Sequence, residues 1–205
     1  MDYLEKGSIE VIFENHACLL IRYQESAIIT DPWLLGSAFC TGWFLEYPTR
    51  SSSFDDILKA DYCYISHSHP DHLNPLTLLF LQEKGWDPTF LIPRFKTRDL
   101  TAPMLNQLGF EKIIELSNHE IFSVDSNPDF LIQMVFDLSG RNDSSIIVKV
   151  GGNIIFNQVD CPSPDISNLT HVDMALLPFA NGASGYPVCW EKLLGLSLIH
   201  ISEPT

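Results

Sequence analysis

Apolar and polar positions alternate over short spans at the start of the chain. Residues 9–13, 17–23 and 26–30 are apolar and rich in β-branched side chains, with breaks at Glu14-Asn15 and Gln24-Glu25. That pattern predicts three consecutive strands joined by tight turns. From Leu34 to Ser53 the periodicity lapses into a stretch of Gly, Pro and aromatic residues. Loops of this length inside compact domains are functional or disordered, and Phe39, Trp43, Phe44 and Tyr47 argue for one that packs. Next come a short helix at 54–59, a strand at 62–66, and a helix capped by Asn74 with Pro75 at its first position, ending near Lys84-Gly85. A strand at 89–92, a helix at 96–108 interrupted at Pro103, and a strand at 113–116 complete an alternation that predicts parallel pairing. The second half reads as mostly β, with strands at 121–124, 130–136, 145–150, 153–156 and 174–177. Gly151-Gly152 is the expected hairpin turn, and a Gly-rich loop is expected over 178–187.

Composition narrows the class. The 205 residues suffice for one sizeable core and are few for two. A net charge of −14 disfavours nucleic acid or an anionic membrane as a broad-surface partner. No apolar run reaches the ~18 residues needed to span a bilayer, and residues 1–6 are too charged for a signal peptide. The five cysteines are odd in number, widely spaced and without a C-x-x-C pair. They fit a reducing, cytoplasmic compartment with mostly buried thiols.

The chemistry concentrates in Ser66-His67-Ser68-His69-Pro70-Asp71-His72, on a loop between the end of a strand and the start of a helix. Three of the seven histidines lie there. His67 and His69, two apart on an extended loop, can face one point, while Asp71 and His72 can face a second point nearby. An H-x-H-x-D-H string is what a two-metal site needs. Neutral imidazoles suit zinc, iron or manganese, and the carboxylate adds charge and a hard oxygen donor. A metal there lowers the pKa of bound water and makes hydroxide available as a nucleophile. His16 lies between two strands and is either a site-facing substrate contact or an exposed turn histidine. Asp31, before Pro32, is either an orienting partner of a ligand or a strand-end turn residue. His119 and His171 read as surface residues. Trp33, Trp43 and Phe44 are candidate pocket walls.

These strings resemble the metallo-β-lactamase-fold superfamily, and more narrowly its branch that includes the catalytic domain of CMP-N-acetylneuraminate hydroxylase and bacterial relatives. The resemblance rests on Asp31-Pro32-Trp33-Leu34, Gly42-Trp43-Phe44, the histidine string, Asn157-Gln158-Val159-Asp160-Cys161, and residues 179–187. It implies an α/β fold, the αβ/βα four-layer sandwich, with metals at the edge between two sheets. It also implies His67 and His69 as ligands of a first metal, Asp71 and His72 as ligands of a second, and Asp160 as the bridging aspartate. Two departures stand out. The family supplies a third histidine to the first metal from the loop matching 137–144, where this chain has none. Asn142 or Asp143 is the expected substitute there, or the site holds one metal, while Arg141 is a candidate contact for an anionic substrate group. A final histidine ligand, carried in the family beyond the matched region, is the second departure.

Residues 196–205 match the in-frame translation of a sequencing-library adapter and are read as a non-native tail. Residues 1–195 are then a metallo-β-lactamase-like domain, C-terminally truncated. The function expected is a metal-dependent hydrolase with one or two zinc ions, iron or manganese being the other metals considered. Asp71 is expected to orient the attacking hydroxide or accept its proton, the substrate being an ester, phosphodiester or sugar-nucleotide-like small molecule. The alternatives are an iron-dependent oxygenase component acting on an activated sugar, served by a separate iron–sulfur partner, and an inactive fragment.

Overall fold

The computed structural model describes residues 7–178. The expected N-terminal features at 1–6, the Gly-rich loop from Phe179 onward, Cys189 and the 196–205 tail lie outside the described residues. β1 (Ile9–Asn15), β2 (Cys18–Tyr23) and β3 (Ser26–Thr30) form an antiparallel meander. A two-residue hairpin follows, β4 (Ser37–Ala38) with β5 (Trp43–Phe44), and then α1 (Ser51–Ile57). β6 (Tyr62–Tyr64), α2 (Pro75–Glu83), β7 (Thr89–Pro93), α3 (Thr101–Gln107) and β8 (Ile113–Leu116) alternate as expected. The first sheet has the order β1-β2-β3-β6-β7-β8, parallel from β3 onward.

β9 (Ile121–Ser123), β10 (Phe130–Phe136), β11 (Ser144–Val150), β12 (Asn153–Asn157) and β13 (Met174–Leu176) form the second sheet, ordered β13-β12-β11-β10-β9. Only the β12–β13 pairing in it is parallel. Gly151 and Gly152 turn β11 into β12 with φ of +54° and +82°, the pair of left-handed conformations that a tight hairpin needs.

Alternation along the strands sorts side chains into layers. On β2, Leu20 faces the helices, where it packs with Leu78, Leu81, Trp86, Phe90 and Leu105. Its neighbour Ile21 faces the other way, into an intersheet core with Tyr64, Phe130, Ile132, Met134, Ile146 and Val148. Beyond the second sheet, Val135, Ile147 and Phe156 are covered by Ile166, Leu169 and Val172. Helix, sheet and sheet thus stack in order. Among the described residues the outer face of the second sheet is covered by an irregular segment.

Two local expectations change. The helix expected over 96–108 begins only at Thr101, and Pro103 does not interrupt it. Pro103 sits in the first turn, where an N–H has no intrahelical acceptor and its loss costs nothing. The aromatics of the long loop do not pack inward: Phe39, Trp43, Phe44 and Tyr47 are all exposed. Phe39, Cys40 and Thr41, in the turn of the β4–β5 hairpin, run in the left-handed region with φ between 49° and 69°.

Candidate metal centre

Parallel strands β3 and β6 end side by side, and the site grows from their ends. The Asp31 N–H donates to the Tyr64 carbonyl at 2.9 Å, which brings Asp31 beside the histidine loop. Asp31 is fully buried with φ of +37°. Its Oδ1 accepts from the Ser66 N–H at 2.8 Å, and its Oδ2 accepts from the Ser66 hydroxyl at 2.7 Å. The same Oδ2 lies 3.0 Å from His72 Nδ1. A carboxylate only accepts, so His72 Nδ1 carries a proton. Nε2, turned toward Asp71 and Asp160, carries one too in the metal-free protein: burial opposes the charge, but Asp31, Asp160 and Asp71 hold the His72 pKa well above its ordinary value.

Ser66 extends the same logic. Its one hydroxyl hydrogen is given to Asp31, so at His67 Nδ1, 2.9 Å away, the serine oxygen accepts. His67 Nε2 is thereby left with its lone pair, 2.8 Å from His69 Nδ1. Asp31 therefore places a proton on Nδ1 of two imidazoles, one directly and one through Ser66. Asp31 was flagged in the sequence; Ser66 was not, because a serine between ligands carries no signal until its hydroxyl is seen bridging them.

The loop is pinned from both sides. Asn74 caps α2 by accepting from the Thr77 N–H, as its sequence predicts, and its Nδ2 donates to the Pro70 carbonyl. The Thr77 hydroxyl donates to Asn74 Oδ1 and accepts from the N–H groups of Leu34 and Leu35, tying the Asp31 loop to α2. From the second sheet, the Ser144 hydroxyl donates to the Ser66 carbonyl at 2.8 Å.

Two groups of side chains converge closely enough to share an ion: His16, Asp71 and His72, and His67, His72 and Asp160. They differ from the expected partition. His72 is common to both, and His69 approaches only His67. His16 is drawn in as a candidate ligand rather than as a substrate contact alone, with Nε2 3.2 Å from Asp71 Oδ2 and its ring edge-on to Trp33 and His72. Asp160 stands 3.3 Å from His72 Nε2, on the turn after β12 where Val159 is left-handed. Where the third histidine was expected, Asp143 is buried, 3.5 Å from His67 Nδ1. Asn142 points instead to residues 97 and 98. Arg141 is exposed, and among the described residues no hydrogen bond or ion pair joins its side chain to the cluster. His119 pairs with Asp165 and His171 with Asp173, away from these groups.

The electrostatics favour a cation. Burial and the neighbouring His72 push the His67 pKa down to about 4, so its imidazole is neutral. Burial would raise the Asp71 pKa, but hydrogen bonds from His16 and His72 outweigh it and hold the carboxylate ionised. Asp160 is lowered for the same reason, with burial opposing and His72 prevailing. Burial, with the charge of Asp160 beside it, lifts Asp143 to about 7. A buried cluster of carboxylates that resist one another is relieved by a positive ion. Asp71 Oδ1 is buried and has no hydrogen-bond partner, an acceptor without a donor in the protein. The residues therefore fit a bound metal.

The fold is the metallo-β-lactamase fold. No family model matches the chain. Among solved structures, YhfI of Bacillus subtilis, a metallo-β-lactamase fold protein, superposes with a TM-score of 0.51 at 16% identity, over 77% of this chain and 61% of its own. CmlA of Streptomyces venezuelae, a diiron β-hydroxylase, superposes with a TM-score of 0.60 at 21% identity, over 82% of this chain and 34% of its own. In sequence the chain is similar to cytidine monophosphate-N-acetylneuraminic acid hydroxylases. The protein of that name from Asterias rubens is 33% identical over 194 residues, 92% of this chain. The chain spans under a third of that relative's length, 29%. Four of the described cysteines are free, three of them buried and Cys40 exposed. Among the described residues no helix is long and apolar enough to cross a membrane.

Proposed function

We propose that this chain is the metal-binding module of a hydroxylase acting on a nucleotide-activated sugar. One observation carries the reading: two carboxylates, Asp71 and Asp160, gather with three imidazoles, His16, His67 and His72, around two adjacent positions, with His69 and Asp143 beside His67. Oxygen-rich, mixed His/carboxylate sets suit iron or manganese better than the nitrogen- and sulfur-rich sets typical of zinc. The likeness to cytidine monophosphate-N-acetylneuraminic acid hydroxylases over nearly the whole chain supports the same chemistry and substrate class. Iron held there would supply activation of dioxygen, drawing electrons from an iron–sulfur group.

The chain's own residues do the positioning. Asp31 and Ser66 keep Nε2 of His72 and of His67 turned inward. Asp71 offers a free, buried oxygen. Phe39, edge-on to His69 with ring centroids 5.8 Å apart, and Trp43 against Phe39 make an aromatic wall at the mouth of the cluster. That wall suits a planar ring of the substrate and keeps water from one flank.

Hydrolysis is the second reading, favoured by the closeness of the two candidate positions, which suits a pair of metals clamping the attacking and leaving oxygens, His72 Nε2 serving one of them. Metal analysis of protein purified aerobically and anaerobically separates the two. Tightly held iron is expected, whereas stoichiometric zinc with turnover of a phosphodiester would transfer the assignment to a hydrolase. Replacing His69→Ala should strip metal from the His67 side, and full retention of metal in that variant would remove the histidine loop as the ligand set.

A further inference from the structure

Four of the chain's cations stand in two loops that the fold clasps together: Arg94, Lys96 and Arg98 after β7, and Arg141 in the β10–β11 connection. Three contacts hold the loops to each other. The Thr97 hydroxyl donates to Asn142 Oδ1 at 2.5 Å, Asn142 Nδ2 donates to the Arg98 carbonyl at 3.0 Å, and the Phe95 and Phe136 rings lie 5.0 Å apart. Arg94 is paired with Glu115. Lys96, Arg98 and Arg141 are exposed, and among the described residues their side chains have no ion-pair partner.

The carboxylates on these loops are spent elsewhere. Asp99 accepts from the Thr101 N–H at the start of α3. Asp137 accepts from the Ser139 hydroxyl and from the N–H groups of Arg141 and Ser163. Asp143 is buried against His67. A chain of net charge −14 thus leaves three unneutralised cations on two clasped loops, one of which carries Asp143 to His67. Arg141 is two residues from Asp143, a separation of at most about 7 Å along the backbone. Arg98 and Arg141 each offer a planar fork that matches the oxygens of a phosphate.

We propose that Lys96, Arg98 and Arg141 form an anion subsite that takes the phosphate of the substrate and places its remainder over the His67–His69 side of the centre. The proposal rests on the functional reading above and names how that substrate is held. It accounts for how an acidic protein admits an anionic molecule to an acidic site, since the local field and not the net charge governs the approach. It also gives the missing histidine a rationale, because the loop that lacks it carries the arginine.

The test is calorimetric titration of the metal-loaded full chain with ribose 5-phosphate and with ribose. Saturable binding of the phosphate ester is expected, weakening as salt rises, with no binding of ribose. The double replacement Arg98→Gln with Arg141→Gln should weaken it by about tenfold or more, and Lys96→Gln by less. Lys112→Gln, at a cation already paired with Asp87, should leave it unchanged. The altered side chains are exposed, and a near-UV circular dichroism spectrum identical to the parent's verifies the fold. Undiminished affinity in the double variant overturns the subsite. No saturable binding by the parent also overturns it, and would turn attention to an acidic protein as the ligand of these loops. Failure of the hydroxylase reading registers differently, as zinc with hydrolytic turnover while the phosphate titration stands.

Discussion

Replacing Asp31→Asn tests whether one buried carboxylate governs the geometry of two ligands. The substitution keeps the volume and removes the charge. Asp31 Oδ2 receives two donors, the Ser66 hydroxyl and His72 Nδ1, and Oδ1 receives the Ser66 N–H. In its best rotamer an amide keeps its oxygen at the two-donor position and turns its NH2 against the Ser66 N–H. That sacrifices one charge-assisted bond and opposes two buried donors, at a cost of about 2–4 kcal/mol. In a domain of this size, each kcal/mol lowers the melting temperature by about 2–4 °C, so the metal-free protein should melt roughly 5–15 °C lower. Metal affinity should fall separately, by about 10–100-fold, because His72 and the Ser66–His67 pair lose the acceptor that fixes their tautomers. Melting in the presence of a chelator measures the first effect, and competition with a chromophoric chelator measures the second. A variant that melts lower yet binds metal with the parent's affinity would show that Asp31 only supports the loop, and would refute the tautomer argument.

Other outcomes follow from the same contacts. Thr77→Val leaves the buried N–H groups of Leu34 and Leu35 without their acceptor and should cost about 2–4 kcal/mol in guanidinium unfolding; a loss below about 0.5 kcal/mol would contradict the bracing role. His16 sits at φ of +46°, where glycine is unstrained, so His16→Gly should be more stable than His16→Ala by about 1 kcal/mol although both lose the contact with Asp71. Equal stability of the two would show that the turn is not strained. Burial and its hydrogen bond with Asp125 raise the Tyr62 pKa to about 12, above the unfolded value of about 10. A raised folded pKa stabilises below the unfolded pKa and is lost as pH climbs through the folded one. Stability should therefore fall more steeply between about pH 10 and 12 in the parent than in Tyr62→Phe, and parallel profiles would count against it.

The fold was legible where local chemistry and tertiary context agree. The three-strand meander, the Asn74-Pro75 helix start and the Gly151-Gly152 hairpin are each determined within a few residues, and all form where expected. The helix expected from Lys96 failed because residues 95–100 are held by a neighbouring loop through Phe136 and Asn142, a constraint from 40 residues away that no window contains. Buried and exposed aromatics look alike in sequence, so Trp33, which is buried, could not be told from Trp43, which is not. At the site, the histidine string was plain because its ligands are consecutive. The entry of His16 depends on a left-handed turn, and the regrouping around His72 depends on where a second sheet sets Asp160. Asp143 was one of two candidates; it lies buried against His67, whereas Asn142 turns away to residues 97 and 98.

Asp31 follows β3, the histidine loop follows β6, Asp143 precedes β11 and Asp160 follows β12, so every contributor to the cluster comes from the end of a strand and none from the strand itself. The intersheet core of Ile21, Tyr64, Phe130, Ile132 and Ile146 ends just beneath them. The candidate ligands thus stand on loops, apart from the buried hydrophobic side chains of the core. The loops still bear a local cost. His16, Asp31 and Val159 are non-glycine residues in the left-handed region, each disfavoured by about 1 kcal/mol or more. A strained backbone persists only where surrounding bonds over-determine it. Here the bonds that do so, Asp31 to Ser66 and His72, His16 to Asp71, and Asp160 to His72, are the same ones that aim the candidate ligands. Strain and ligand orientation thus share one network, so a substitution that relaxes the backbone also loosens the site.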